Sequence, residues 1–333
     1  MTRLRLATLA LAAALSSGAG AQASGYHVIG RIAGPDGSWD YVRVDAVNNR
    51  VLVARGGSMM SVDLTTRAVT AGLAPGSALH DVLPVNGGRE VLVTNGGTAT
   101  ARFVNAKTAV TVASVPAGKG ADAAAYDVHS GLVLVMNHQG GDVTLIDPKA
   151  HTVVATIAVG GDLEAAAVDG AGHAFVNVED KNQIAVVDIA SRKVTARYAL
   201  AGCDGPTGIV YDAADRMLIS ACDGTTVFVD AASGKVLQTL PTGAGSDGVA
   251  FDPRQRLAFV PSGRAGTLTV ISVRRGKSKI TQVVQTQLGA RTIALDERTG
   301  RLYLPTSKFG PPATAGGLPP RLPGTFELIV VGT

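Results

Sequence analysis

Aromatic residues make up only 4% of this 333-residue chain, with a single Trp, Trp39, and charged residues only 17%. So few aromatics leave little surface for stacking single-stranded bases. The formal net charge of +4 is too small to mark a nucleic-acid binder by bulk electrostatics. Only two cysteines are present, with no Cys-x-x-Cys or haem-attachment spacing. No G-x-S-x-G elbow, phosphate loop, or dinucleotide fingerprint between a strand and a helix occurs. The six histidines (His27, His80, His129, His138, His151 and His173) show no paired metal-ligand spacing. Beyond residue 23 no apolar run has the length of a membrane-spanning helix, and no stretch has a 3.6-residue period.

What is present is small and apolar. Hydrophobic residues reach 46%, mostly Ala and Val, beside 41 Gly. That content excludes a wholly disordered chain and points to strands packed through small side chains. Residues 1–23 have the form of a secretory signal peptide: Arg3 and Arg5, an apolar stretch from Leu6 to Leu15, then Ala21-Gln22-Ala23. Cleavage after Ala23 would leave a mature chain, 24–333, with no membrane span, secreted or periplasmic. Losing the two arginines would halve its net charge.

The remainder repeats. Asp45, Asn86, Asp127, Asp169, Asp212, Asp252 and Asp296 recur at spacings of 40 to 44 residues. Asp63, Asn105, Asp147, Asp188, Asp230 and Ser272 form a second series with the same period. Each unit holds four strand-like runs, such as Ala123–Tyr126, Leu132–Met136, Asp142–Ile146 and Thr152–Val159, divided by Asp/Gly/Asn turns. Seven such units predict an all-β, seven-bladed β-propeller. Its blades would lie near 39–78, 79–119, 120–161, 162–203, 204–244, 245–288 and 289–333. The last lacks a fourth strand, which Tyr26–Ile32 would supply, closing the ring and removing an open sheet edge.

The unit V-L-V-T-N-G-G at Val91–Gly97, with Val-Asp turns such as Val187–Val194, resembles the YVTN-repeat (YncE-like) propellers of secreted bacterial proteins. The resemblance covers the mature chain. It implies an extracytoplasmic propeller, usually without an assigned enzyme activity, in a family linked to nucleic-acid binding and to surface or envelope roles.

The regular Asp series would share one face, where Asp and Asn hold their own turns. The opposite face is irregular. Counting five residues before each turn residue gives Asp40, Asp81, Asp122, Glu164, Thr207, Asp247 and Arg291, with His80 in place of Asp81 if blade two is offset by one. A seven-fold ring would gather these side chains at the channel mouth. Five carboxylates facing one Arg cannot all stay ionised and unpaired. Each either caps its own strand start or joins a ligand or metal site. Asp122, Glu164 and Asp247 are the candidate metal ligands, and an oxygen-rich ring suits Ca²⁺ or Mg²⁺. Trp39 and Tyr41 flank Asp40, while Asn137 and His138 lie on a loop at the same face. Trp39 either meets a ligand or plugs the first blade against the last. The Pro/Gly-rich loop Lys308–Thr325 is placed to overhang the mouth.

In a secreted chain Cys203 and Cys222 would meet at one end of blade five as a disulfide. The basic run Arg274–Lys279 falls on a turn of the regular face. Three functions fit. The first is a non-enzymatic binding propeller, a monomer receiving a small molecule or an envelope protein at the mouth. The second is a metal-dependent hydrolase or lactonase, and the third is single-stranded nucleic-acid binding.

Overall fold

The strands form where β-branched runs are cut by residues able to turn the chain. In the computed structural model, which describes residues 25–312 and 319–333, they assemble into seven four-stranded antiparallel sheets. The expected signal peptide, 1–23, lies outside the described residues. Blade one comprises Val42–Asp45, Arg50–Ala54, Met59–Asp63 and Val69–Leu73. Blades two to six follow in chain order across 79–116, 121–158, 163–199, 209–241 and 250–285. Blade seven joins Ala294–Asp296, Arg301–Thr306 and Glu327–Gly332 to the N-terminal strand His27–Ala33. That strand pairs antiparallel with the last one, from His27 opposite Gly332 to Ala33 opposite Glu327.

The core lies between blades. Middle strands are apolar on both faces because each face packs on another sheet, so Leu132–Asn137 reads LVLVMN and is almost wholly buried. Leu134, Met136, Val143 and Leu145 of blade three pack against Ala174, Val176 and Val187 of blade four. Outer strands face water on one side, and Lys193–Ala199 alternates accordingly. The few aromatics are spent inside: Phe103, Phe228, Phe259 and Phe326 are fully buried.

The turn residues work as scaffold. Asp127 accepts from the backbone of His129 and Ser130, and Asp63 from Thr65 and Thr66. Near the channel the inner strands approach too closely for side chains. A Cβ on Gly208 would stand 2.5 Å from the Cα of Gly248 in the next blade.

Cys203 and Cys222 are bonded, with Cα atoms 5.4 Å apart, linking the start of blade five to the end of its second strand. Replacing both with Ser should lower the unfolding free energy by about 3 kcal/mol, the loop-closure value for a link of this span. Denaturant titration checks this, and an unchanged midpoint would contradict it.

Candidate functional site

The first residues of the inner strands rim one end of the channel. In blades two, three and four, pairing is interrupted by a bulge between Leu79 and Val82, Ala121 and Ala124, and Leu163 and Ala166. The residue after the first paired position is therefore equivalent in all three: His80, Asp122 and Glu164. Asp40 of blade one joins them, its Oδ2 lying 2.6 Å from His80 Nδ1. Asp122 Oδ1 stands 3.6 Å from the same nitrogen. Glu164 Oε1 lies 3.0 Å from His138 Nδ1. Two groups of three thus share Asp122: Asp40–His80–Asp122 and Asp122–His138–Glu164, the donor atoms in each within 4.8 Å of one another.

The other side of the mouth mixes charges: Arg264 and Arg291 stand among Glu179, Asp204, Asp223 and Asp247. Arg291 Nε donates to Asp247 at 2.6 Å, and its Nη2 donates to the Trp39 carbonyl at 3.1 Å. Thr207 turns its hydroxyl to the Ser246 carbonyl at 3.1 Å. With Asp223 and Arg264 these residues line a depression of about 400 Å³. The histidines therefore stand with the acids of blades one to four, while the arginines of blades six and seven pair with acids of their own side. Beneath them Tyr41 lines a central cavity of about 110 Å³ with Ala123, Ala165, Gly208 and Gly248. Its hydroxyl is buried without a hydrogen-bond partner.

Burial dominates the electrostatics. It raises the Asp40 carboxyl, and it lifts Asp122 well above the usual range with added repulsion from Asp40. Burial pushes Glu164 up to about 7. The hydrogen bond it donates to Glu164 takes His138 up to about 9, and the one to Asp40 raises His80 in the same way. Tyr41 is pushed well above its ordinary value by burial and by Glu164, Asp122, Asp247 and Asp40.

Several expected mouth residues sit elsewhere. Asp81 is turned between blades, wholly buried. It accepts from Arg43 at 2.9 and 2.5 Å and from the Ala124 backbone at 2.9 Å. The reason is register: Val85 pairs with Glu90 as Asp45 pairs with Arg50, so counting from Asn86 overshoots by one residue. His80 takes the mouth position. Asn137 faces into its own sheet, donating to Asp142 at 2.5 Å and Thr144 at 2.9 Å. Asp247 is engaged by Arg291, so among the described residues it belongs to neither donor group.

Trp39 is a plug. It is 4% exposed and packs on Phe326 and Phe309, and its indole nitrogen has no hydrogen-bond partner among the described residues. The described ends of the 308–325 loop settle on it: Phe309 bridges to Arg321, whose guanidinium lies 5.6 Å from the Trp39 ring centroid. The two donor groups also contain His80 and His138, which no local spacing in the sequence marks as a pair. Their nitrogen changes the expected chemistry from an all-oxygen Ca²⁺ or Mg²⁺ ring to a mixed set.

No protein-family model matches the chain, and no curated protein matches it. Among solved structures, a chain in the crystal structure of the mitotic checkpoint complex superposes with a TM-score of 0.77 at 13% identity, covering 99% of both chains. A chain of Kuenenia stuttgartiensis hydrazine synthase superposes with a TM-score of 0.68 at 15% identity, over 80% of this chain and 92% of its own. At such identities the likeness establishes the fold alone. The protein is a seven-bladed β-propeller, an architecture that commonly serves as an interaction scaffold.

Two predictions follow from the electrostatics. Asp81→Ala, which strands Arg43 against the channel, should destabilise by about 3 kcal/mol in denaturant unfolding. A loss below about 1 kcal/mol would mean that the pair is not structural. The mouth should also favour acid. Glu164 and His138 have folded-state values above their ordinary ones, so their stabilisation is complete at low pH. It is lost as pH climbs through about 7 and then about 9. In chelator, the melting temperature should fall across that window, and Glu164→Gln should flatten the decline. A curve rising with pH would refute the sign.

Proposed function

We propose that this is an extracytoplasmic, non-catalytic binding propeller that receives a positively charged ligand, or the positively charged segment of an envelope partner, at its channel mouth. The observation that carries the reading is the polarised mouth. Buried acids of blades one, three and four face one another over a floor closed by Tyr41, and Arg291 across the ring is already committed to Asp247. A cationic group seated there would offset the burial and mutual repulsion that raise these carboxyls. The secretion-like leader, the disulfide and the YVTN-type repeats support an extracytoplasmic address, since disulfides persist in oxidising compartments.

The hydrolase or lactonase reading draws on the same site, where carboxylate–histidine pairs could hold a metal and move protons. Nucleic-acid binding has weaker support. Arg275 of the basic run is tied to Asp230 and Asp215 on the opposite face, with its Nη1 donating to the Asp215 carbonyl at 2.7 Å.

The test uses residues 24–333 in chelator, screened by thermal shift against spermidine, arginine-rich peptides, a lactone and a single-stranded oligonucleotide. The cationic probes should raise the melting temperature by several degrees, and Asp122→Asn/Glu164→Gln should abolish the shift. Stabilisation that survives in the double variant would refute mouth binding. Metal-dependent lactone turnover would favour the hydrolase instead, and salt-sensitive oligonucleotide binding the third reading.

A further inference from the structure

We propose that the mouth holds a divalent first-row transition-metal ion, with Asp122 as the ligand common to two adjoining histidine–carboxylate seats. The proposal deepens the binding reading above and rests on it.

Three observations converge. First, the donors are brought together by four different blade elements rather than by a local acidic run. Asp40 lies two residues before the inner strand of blade one, while His80, Asp122 and Glu164 occupy the bulge positions of the next three. His138 comes from the loop beside Glu164. Ligand atoms around a tetrahedral ion with bonds of about 2.1 Å stand about 3.4 Å apart. The separations here are His80 Nδ1 to Asp40 at 2.6 Å and to Asp122 at 3.6 Å, and His138 Nδ1 to Glu164 at 3.0 Å, with every pair in each seat within 4.8 Å. Small side-chain adjustments would close either seat on an ion.

Second, Asp122 Oδ1 is a fully buried atom without a hydrogen-bond partner, and it faces His80 across the shared centre. A buried acceptor left unpaired is destabilising, so the fold keeps this oxygen against its own stability. The Tyr41 hydroxyl beneath is equally unpartnered. Turn carboxylates of the opposite face differ, since Asp63 and Asp127 are satisfied by their own loop amides.

Third, the donor set selects the metal. Imidazole with carboxylate suits Zn²⁺ and its first-row neighbours, whereas Ca²⁺ and Mg²⁺ take oxygen cages. His80 and His138 remain reachable, with side chains 32% and 29% exposed.

The experiment uses untagged residues 24–333, stripped with chelator and titrated calorimetrically with Zn²⁺ and, separately, Ca²⁺. Bound metal is counted by elemental analysis, and Co²⁺ is substituted for its visible spectrum. Zn²⁺ should bind with at least one ion retained, Ca²⁺ should bind at least about 100-fold more weakly, and Co²⁺ should show absorption typical of nitrogen–oxygen coordination. Asp122→Asn should weaken Zn²⁺ at least about 100-fold, more than loss of an outer-shell partner does. Its chelated form should melt no lower than the parent, which separates ligand loss from misfolding. Weakening by His138→Gln alone assigns the ion to the seat with Glu164; weakening by His80→Gln alone assigns it to the seat with Asp40. Zn²⁺ affinity unchanged in Asp122→Asn, or in both histidine variants, would overturn the proposal, as would equal affinity for Ca²⁺. Organic cations that still bind in chelator while Zn²⁺ does not would remove the metal and leave the binding function standing.

Discussion

The pairing of the N-terminal strand with the last strand is the constraint on which the molecule depends. Without it blade seven would have three strands and an open edge, and the ring would not be tied shut by its first and last strands. Closure brings Trp39 against Phe326 and places Thr292 where its hydroxyl donates to the Asp40 carbonyl at 2.9 Å. Further backbone bonds run between blades around the mouth, from Tyr41 to His80 at 3.1 Å and from Asp247 to Arg291 at 3.2 Å. The mouth is therefore a product of ring closure. Its residues lie up to 251 positions apart between Asp40 and Arg291, and they meet only because the circle is complete.

Charge is handled differently at the two ends of the wheel. On the turn face each Asp is neutralised locally by amides or by an arginine, as Asp45 is by Asn48 and Arg50. Between blades one and two, Asp81 is fully compensated by Arg43 and the Ala124 amide. At the mouth this pattern breaks. Asp40, Asp122 and Glu164 are held up by burial and mutual repulsion, and only histidines stand opposite them. A chain that pairs its other buried acids with arginines and amides here sets three carboxyls against two histidines, leaving Asp122 Oδ1 without a partner among the described residues. The exception has the character of a site, where local stability is given up for interaction with something outside the chain.

Much of the fold was legible in the residues. Two Asp/Asn series with one period, β-branched runs between them, and a spare N-terminal strand predicted seven closed blades. The positions of Cys203 and Cys222 within blade five predicted their bond. The mouth was legible only in outline. A count from Asn86 selected Asp81, because a 3₁₀ turn at Asn86–Gly88 displaces the pairing by one residue, and nothing in the local composition distinguishes that turn from its neighbours. A one-residue offset on an inner strand exchanges an inter-blade ion pair for a channel ligand, since successive side chains point to opposite faces. Strict comparison of first-to-second strand pairings, with Val85 set beside Asp45 rather than Asn86, is the signal that recovers His80. Asn137 and His138 are adjacent, and their divergence is the same alternation at the strand's end.

The channel itself decides from which side a ligand arrives. Tyr41 and the close-packed inner strands reduce the axial space beneath the mouth to a cavity of about 110 Å³, smaller than most ligand pockets. On the proposed reading, a ligand would approach from the face that carries the acids, with its positive end leading. The arginines of blades six and seven then bound its orientation: Arg291 is held by Asp247 and Trp39, while Arg264 on the rim pairs with Asp223 in the open. An anionic group on the same ligand would exchange that exposed pair at little cost, because surface ion pairs contribute about 0–1 kcal/mol. The same polarity disfavours a bare phosphate chain, which would have to lay negative charge across the acids of four blades. Under the binding proposal, shape and charge would act together, favouring a cation at the hub and a counter-charge toward Arg264.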